Sequence, residues 1–229
     1  MNWARFARTP GHDHSHEKIN LPTLLELLPA PGRRTLDLGC GEGRLGRVLQ
    51  SLGHRVVGID ASQTMVRLAA SHAVPELSVV ADAAELPFAD GTFDLVVEYM
   101  TLHDIDRMPR AMAEIARVLE RGGRFCMAIV HPLNSAGAFQ GGDATAPFVI
   151  TGSYMGPAPV TTAVDRGGIQ MTFHSEHRPL EAYCRALEAG GMPIEAIREV
   201  GSNEELAARN PAEYRWMRIP LFLHLRAIR

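Results

Sequence analysis

Two hydrophobic rhythms alternate along the 229-residue chain. Short apolar runs at 34–38, 54–60, 77–81, 92–98 and 124–130 have the length and continuity of strands buried on both faces. Between them, apolar residues recur every three or four positions, as along one face of a helix. This holds over 20–29 (Leu24, Leu25, Leu27, Leu28), over 44–52, from Ser62 onward (Met65, Val66, Leu68, Ala69) and over 107–119. Gly53 and Gly122-Gly123 are natural helix stops, and Ser62 is a natural N-cap. Strands alternating with helices predict an α/β fold with a mostly parallel sheet covered on both faces. The rhythm breaks after 131: Gly and Pro are frequent over 132–168, and only 168–174 reads as a strand. A helix at 179–189 and strands at 194–200 and 220–229 follow, the last two suited to an antiparallel finish at the sheet edge. The chain reads as one domain, 1–229, with an N-terminal arm at 1–19 and a cap inserted at 132–178 over the ligand end of the sheet.

Composition refines this picture by exclusion. A net charge of -3, with 46% hydrophobic and 21% charged residues, gives no general affinity for nucleic acid or an anionic membrane. There is no run of 18 apolar residues and no signal-peptide core at the N-terminus. Cys40, Cys126 and Cys184 lack metal-type spacing and read as small hydrophobes in a reducing, cytoplasmic setting. The expected state is a monomer or homodimer. His12, His14 and His16 lie beside Asp13 and Glu17, but alternate spacing on a short polar arm argues for a mobile or lid-like segment rather than a metal site. Trp3, Arg5 and Phe6 could fold over a ligand.

Chemistry concentrates where the strands end. In a parallel sheet, ligands bind at the carboxyl ends of the strands. Asp37 to Gly43, Asp60, Asp82, Glu98 to His103 and His131 all fall there, from five separate places in sequence. The turn Gly39-Cys40-Gly41-Glu42-Gly43 lets a ligand approach the main chain closely. Gly41 to Gly46 also matches G-x-G-x-x-G, with Asp60 where a nicotinamide fold puts its ribose acid. Charge disfavours that dinucleotide: Asp37 and Glu42 would repel a pyrophosphate. They suit a ligand that is cationic near the turn, and S-adenosylmethionine has a sulfonium and an ammonium there.

These segments resemble the class I S-adenosylmethionine-dependent methyltransferases, in their small-molecule, type 11 or UbiE-like branch. The matching stretches are Leu36-Asp37-Leu38-Gly39-Cys40-Gly41-Glu42-Gly43, Val57-Gly58-Ile59-Asp60-Ala61-Ser62, Ala81-Asp82-Ala83-Ala84-Glu85-Leu86-Pro87-Phe88, Phe93-Asp94-Leu95-Val96, and the approach to strand five from Arg117 to Phe125. The resemblance is close over about 22–131. It implies a Rossmann-like seven-stranded sheet in order 3-2-1-4-5-7-6, with strand 7 antiparallel. It also implies that Asp37 and the backbone of Gly39, Cys40 and Gly41 hold the methionine end, and that Asp60 grips the ribose. Ala61 or Ser62 would line the adenine, Asp82 and the Ala83 amide would read its edge, and Glu98 would lie at the same cofactor site.

The implied reaction is in-line methyl transfer to a small organic acceptor such as a natural product or quinone-like ring. Only an acceptor that must lose a proton needs a base, and His131, His103 and His177 are the candidates. His177-Arg178 could instead bind an acidic substrate group. Phe139, Phe148, Tyr154, Met155, Met171 and Phe173 offer an apolar lining in the cap. The rival readings are a catalytically silent S-adenosylmethionine-binding relative and a nicotinamide-dependent oxidoreductase.

Overall fold

The central strands form where the chain is mostly apolar, and an acid or a glycine stands at or near the carboxyl end of the first three in chain order. A computed structural model describes residues 2–9, 11–71, 77–166 and 168–229. Met1 and Pro10 of the arm and Gly167 of the cap lie outside the described residues. In chain order the strands are β1 (Thr35–Leu38), β2 (Val56–Asp60), β3 (Leu77–Val80), β4 (Phe93–Tyr99), β5 (Leu119–Val130), β6 (Gly137–Phe139), β7 (Phe148–Ile150), β8 (Ala158–Arg166), β9 (Ile169–His177), β10 (Ile194–Val200) and β11 (Phe222–Ile228). The helices are α1 (Asn2–Arg8), α2 (Leu21–Leu27), α3 (Arg44–Ser51), α4 (Gln63–Ala70), α5 (Met108–Val118), α6 (Pro132–Ser135), α7 (Leu180–Ala189) and α8 (Glu204–Arg209).

Seven strands make the main sheet, in order β10-β11-β5-β4-β1-β2-β3. With the four cap strands set aside, this is the 3-2-1-4-5-7-6 order expected. β11 runs antiparallel to both β5 and β10, and the remaining neighbours are parallel. Alternation along β4 shows how the sheet is covered. Val96 packs with Leu36, Phe125 and Met112 on the face of α5 and α7. Leu95 and Val97 pack with Leu24, Leu45 and Leu49 of α2 and α3 on the other. β5 starts at Leu119, five residues earlier than the pattern suggests, because Phe93 already pairs with Leu119 before the register shifts.

Residues 2–9 and 11–20, expected to be a mobile or lid-like segment, carry regular structure. α1 buries Ala4, Phe6 and Ala7, and a π-helical turn at His16–Asn20 runs directly into α2. The cap also holds more regular structure than its composition suggests: β8 and β9 form a nine-pair antiparallel hairpin, where only 168–174 was expected to be extended. Phe6 packs against Ile169 and Met171 of that hairpin, and Trp3 meets Phe173 edge-on at 5.7 Å. The arm and the cap thus fold onto each other above the carboxyl end of the sheet.

Candidate functional site

Three glycines bend the chain between β1 and α3, with φ of +74° at Gly39, +54° at Gly41 and +86° at Gly43. A side chain at Gly39 would overlap Thr101, whereas at Gly41 it would meet open space. The turn is tied to the end of β2 by Asp60. Its carboxylate accepts from the Gly41 amide at 2.9 Å and from the Ser62 amide at 2.8 Å.

Two cavities meet over this turn, sharing Gly39, Asp60, Thr101 and Asp104. The smaller, about 510 Å³, is bounded by Ala61, Asp82, Ala83 and Ile105. The larger, about 920 Å³, has a polar floor that includes Asp37, Cys40, His16 and Tyr99, and a roof of Trp3, Phe6, Met171 and Phe173. Asp37 is 1% exposed, and its Oδ2 has no hydrogen-bond partner among the described residues. Burial, and then the charge of Asp60, push its carboxyl up to about 7. A buried carboxylate oxygen without a partner is costly in an empty pocket and fits a cationic ligand group.

Asp82 lies at the outer cavity, with its oxygens engaged by the Ala84 amide and by Arg107, both hydrogen bonds holding its carboxyl below the usual range. Ser62 does not line either cavity. Its hydroxyl caps α4 by accepting from the Met65 amide at 3.4 Å, so of Ala61 and Ser62 only Ala61 borders the smaller cavity.

Glu98 departs from its expected place at the cofactor. It is fully buried, lines neither cavity, and accepts from the amides of Thr101 and Leu102. Burial pushes it up to about 8. Its role is to hold the loop that follows β4. Arg178 grips the same loop from the opposite side, donating to the carbonyls of Leu102, Ile105 and Asp106 and pairing with Glu176. It is therefore not free to bind an acidic substrate. Met100, in this loop, takes a φ of +61°, a strained value for a residue with a side chain.

The three candidate histidines separate cleanly. His131 caps α6, with Nδ1 accepting from the Leu133 amide at 3.0 Å and Nε2 against Glu199 at 3.0 Å. His177 is held between the Ser135 hydroxyl and the Tyr154 carbonyl. Neither lines a cavity, because a place near a strand end does not fix where a ring points. His103 does line the larger cavity. Its Nδ1 is buried without a partner among the described residues, and burial, then Arg178, hold it neutral by lowering it to about 4. Of the expected cap lining, only Met171 and Phe173 reach this cavity. Phe139 and Phe148 pack on each other and Phe139 on Trp216, Tyr154 hydrogen-bonds the Leu180 amide, and Met155 is 73% exposed.

Glu42 also reads differently in three dimensions. It is 1% exposed and paired with Arg8 of α1 and Arg47 of α3, each at 2.6 Å. Its charge is neutralised, so aversion to phosphate at the turn rests on Asp37, and Glu42 instead fastens α1 to the turn. Arg44 and Asp13 form a second tether at 2.8 Å. Sequence reasoning placed His16 only among the arm histidines and missed Tyr99, its partner at 2.7 Å inside the cavity, and Asn20, which meets His224 at 2.6 Å. The spacing of His16 and Asn20 on one helical turn was the available signal.

Comparison with known proteins agrees with this geometry. Residues 36–127 match the family described as "Methyltransferase domain". An uncharacterized methyltransferase of Synechocystis sp. is 36% identical over 118 residues, 50% of this chain and 55% of that protein. The human mitochondrial arginine-hydroxylase NDUFAF5 is 36% identical over 92 residues, 39% of this chain and 26% of that one. The chain thus spans between about a quarter and just over half the length of these curated relatives. A crystal structure of an S-adenosylmethionine-dependent methyltransferase from Mesorhizobium loti superimposes with a TM-score of 0.78 at 26% identity, covering 96% of this chain and 100% of the other.

Proposed function

We propose that the chain, whose residues 36–127 match a methyltransferase domain and whose fold is that of an S-adenosylmethionine-dependent methyltransferase, is a class I enzyme of the type 11 branch that moves a methyl group to a small organic acceptor held in the larger cavity. The observation that carries this reading is the unpartnered, buried carboxylate oxygen of Asp37 beside a glycine turn at which two cavities join.

Asp37 and the backbone of Gly39, Cys40 and Gly41 would hold the methionine end of the cofactor. Asp60 would take the ribose, and Ala61, Asp82 and Ala83 the adenine. When bound, S-adenosylmethionine supplies a methyl group already activated by its sulfonium. What remains for the protein is alignment and exclusion of water. Glu98 and Arg178 hold the loop carrying Thr101, His103 and Asp104 from both sides. The roof of α1 and the β8–β9 hairpin covers the reacting groups. His103, neutral and bordering the larger cavity, would orient the acceptor.

Among the described residues no helix is long and apolar enough to cross a membrane. Three unpaired cysteines support a reducing setting such as the cytoplasm. Isothermal titration with S-adenosylmethionine, S-adenosylhomocysteine and NAD tests the cofactor, with binding of the first two expected. Release of S-adenosylhomocysteine in an acceptor screen then separates a transferase from a silent binder.

A further inference from the structure

The polar floor of the larger cavity carries carboxylates and no available cation. Among the described residues, the arginines that line the two cavities are Arg44 and Arg107, and no lysine does. Arg44 is taken by Asp13 and Arg107 by Asp82. The two imidazoles on the floor, His16 and His103, are both lowered to about 4, mainly by burial, and add no positive charge near neutral pH. Glu42 and Asp13 are neutralised by their arginines.

Asp104 is different. It borders both cavities at their junction, where donor and acceptor must meet. Its nearest basic neighbour is His103 Nε2 at 3.7 Å, beyond hydrogen-bond reach. The Asp104 side chain keeps 43% of its surface exposed, open to a ligand, and the part that is buried raises its carboxyl, with no cation acting on it. Facing this floor are the rings of Trp3, Phe6 and Phe173, with Trp3 5.7 Å from each of the other two. Aromatic faces attract cations as well as flat rings.

We propose that this compartment takes an aromatic acceptor bearing a protonated amine, held by the carboxylate of Asp104 beneath the rings of Trp3, Phe6 and Phe173, and rejects acceptors bearing a carboxylate or phosphate. The proposal rests on the transferase reading above. A carboxylate brought near Asp104 finds no counter-charge on any wall, and like charges at close range in a partly buried site repel strongly.

The test uses the full chain saturated with S-adenosylhomocysteine. Tyramine, tyrosol and para-hydroxyphenylacetate are titrated by calorimetry; they share the phenol and end in an ammonium, a hydroxyl and a carboxylate. Tyramine is expected to bind at least about tenfold more tightly than para-hydroxyphenylacetate, with tyrosol between. Asp104→Asn should bring tyramine and tyrosol together, and Trp3→Leu should weaken both. Equal or tighter binding of the acid, no binding by any of the three, or an ammonium preference that persists in Asp104→Asn overturns the proposal. Failure of the unaltered chain to bind S-adenosylhomocysteine overturns the transferase reading instead.

Discussion

The floor and the roof of the larger cavity are built on opposite principles. The floor is the carboxyl edge of a parallel sheet. Its groups are set by backbone geometry: Gly39 and Gly41 at positive φ, Asp60 holding two amides, Glu98 and Arg178 clamping the loop after β4. The roof is a short helix and a two-stranded hairpin, held by side chains: a cluster of Phe6, Ile169 and Met171 and the tethers Arg8–Glu42 and Arg44–Asp13. A frame of interlocked backbone bonds keeps a cofactor site constant. A cover held by a few side chains can open, close and change its lining without disturbing that frame.

If the contrast holds, damage to the floor is the more severe. Gly39→Val forces a branched side chain into a positive φ and against Thr101, and the loss of S-adenosylhomocysteine affinity should exceed about a hundredfold by calorimetry, with the circular dichroism spectrum retained. Undiminished affinity would break the assignment of the turn.

The floor also carries a pH signature. Asp37 and Glu98 have folded-state values of about 7 and about 8, above their unfolded ones. The folded chain therefore keeps their protons longer than the unfolded chain does. Their contribution to stability is complete below the ordinary carboxylate range and is lost as pH rises to about 8. Melting curves without ligand should show Tm falling across that window, less steeply in Asp37→Asn and in Glu98→Gln. Bound S-adenosylmethionine should offset the Asp37 part, so the thermal shift it causes should grow with pH.

Roof changes should be milder. Glu42→Gln removes the charge shared by Arg8 and Arg47. It is expected to speed dissociation of S-adenosylhomocysteine several-fold in stopped flow while lowering Tm by only a few degrees. Equal dissociation rates would mean that the tethers do not hold the cover. The smallest effect belongs to a residue outside both regions. His131→Ala should cost about 1 kcal/mol through loss of the α6 cap and leave turnover within about twofold, whereas His103→Ala should lower kcat.

The same contrast explains what could be read from the chain. β1, β2 and β4 are short, mostly apolar runs with an acid at or near the end, so Asp37 and Asp60 were legible as strand-end groups. The roof left almost no local trace. Asn2 donates to the carbonyl of Gln170, and Phe6 packs on Ile169 and Met171, so its contacts join residues far apart in sequence. β8 escaped notice because most of its residues are exposed and small, with no buried alternation. His131 and His177 were misplaced as bases because strand-end position does not specify a ring's hydrogen-bond partners, and Glu42 because its arginines come from two different helices.

The Asn20–His224 hydrogen bond has a consequence for the order of assembly. Asn20 lines the cavity, and its partner sits in the last strand. Phe6 likewise waits for the β8–β9 hairpin. Contacts that close such long loops form late in folding. The N-terminal part of this sequence is therefore among the last to be seated, and until β11 docks, the turn at His16–Asn20 lacks one of its anchors. Slow insertion of β11 between β5 and β10 would delay closure of the larger cavity while β1, β2 and β4 with the glycine turn already stand.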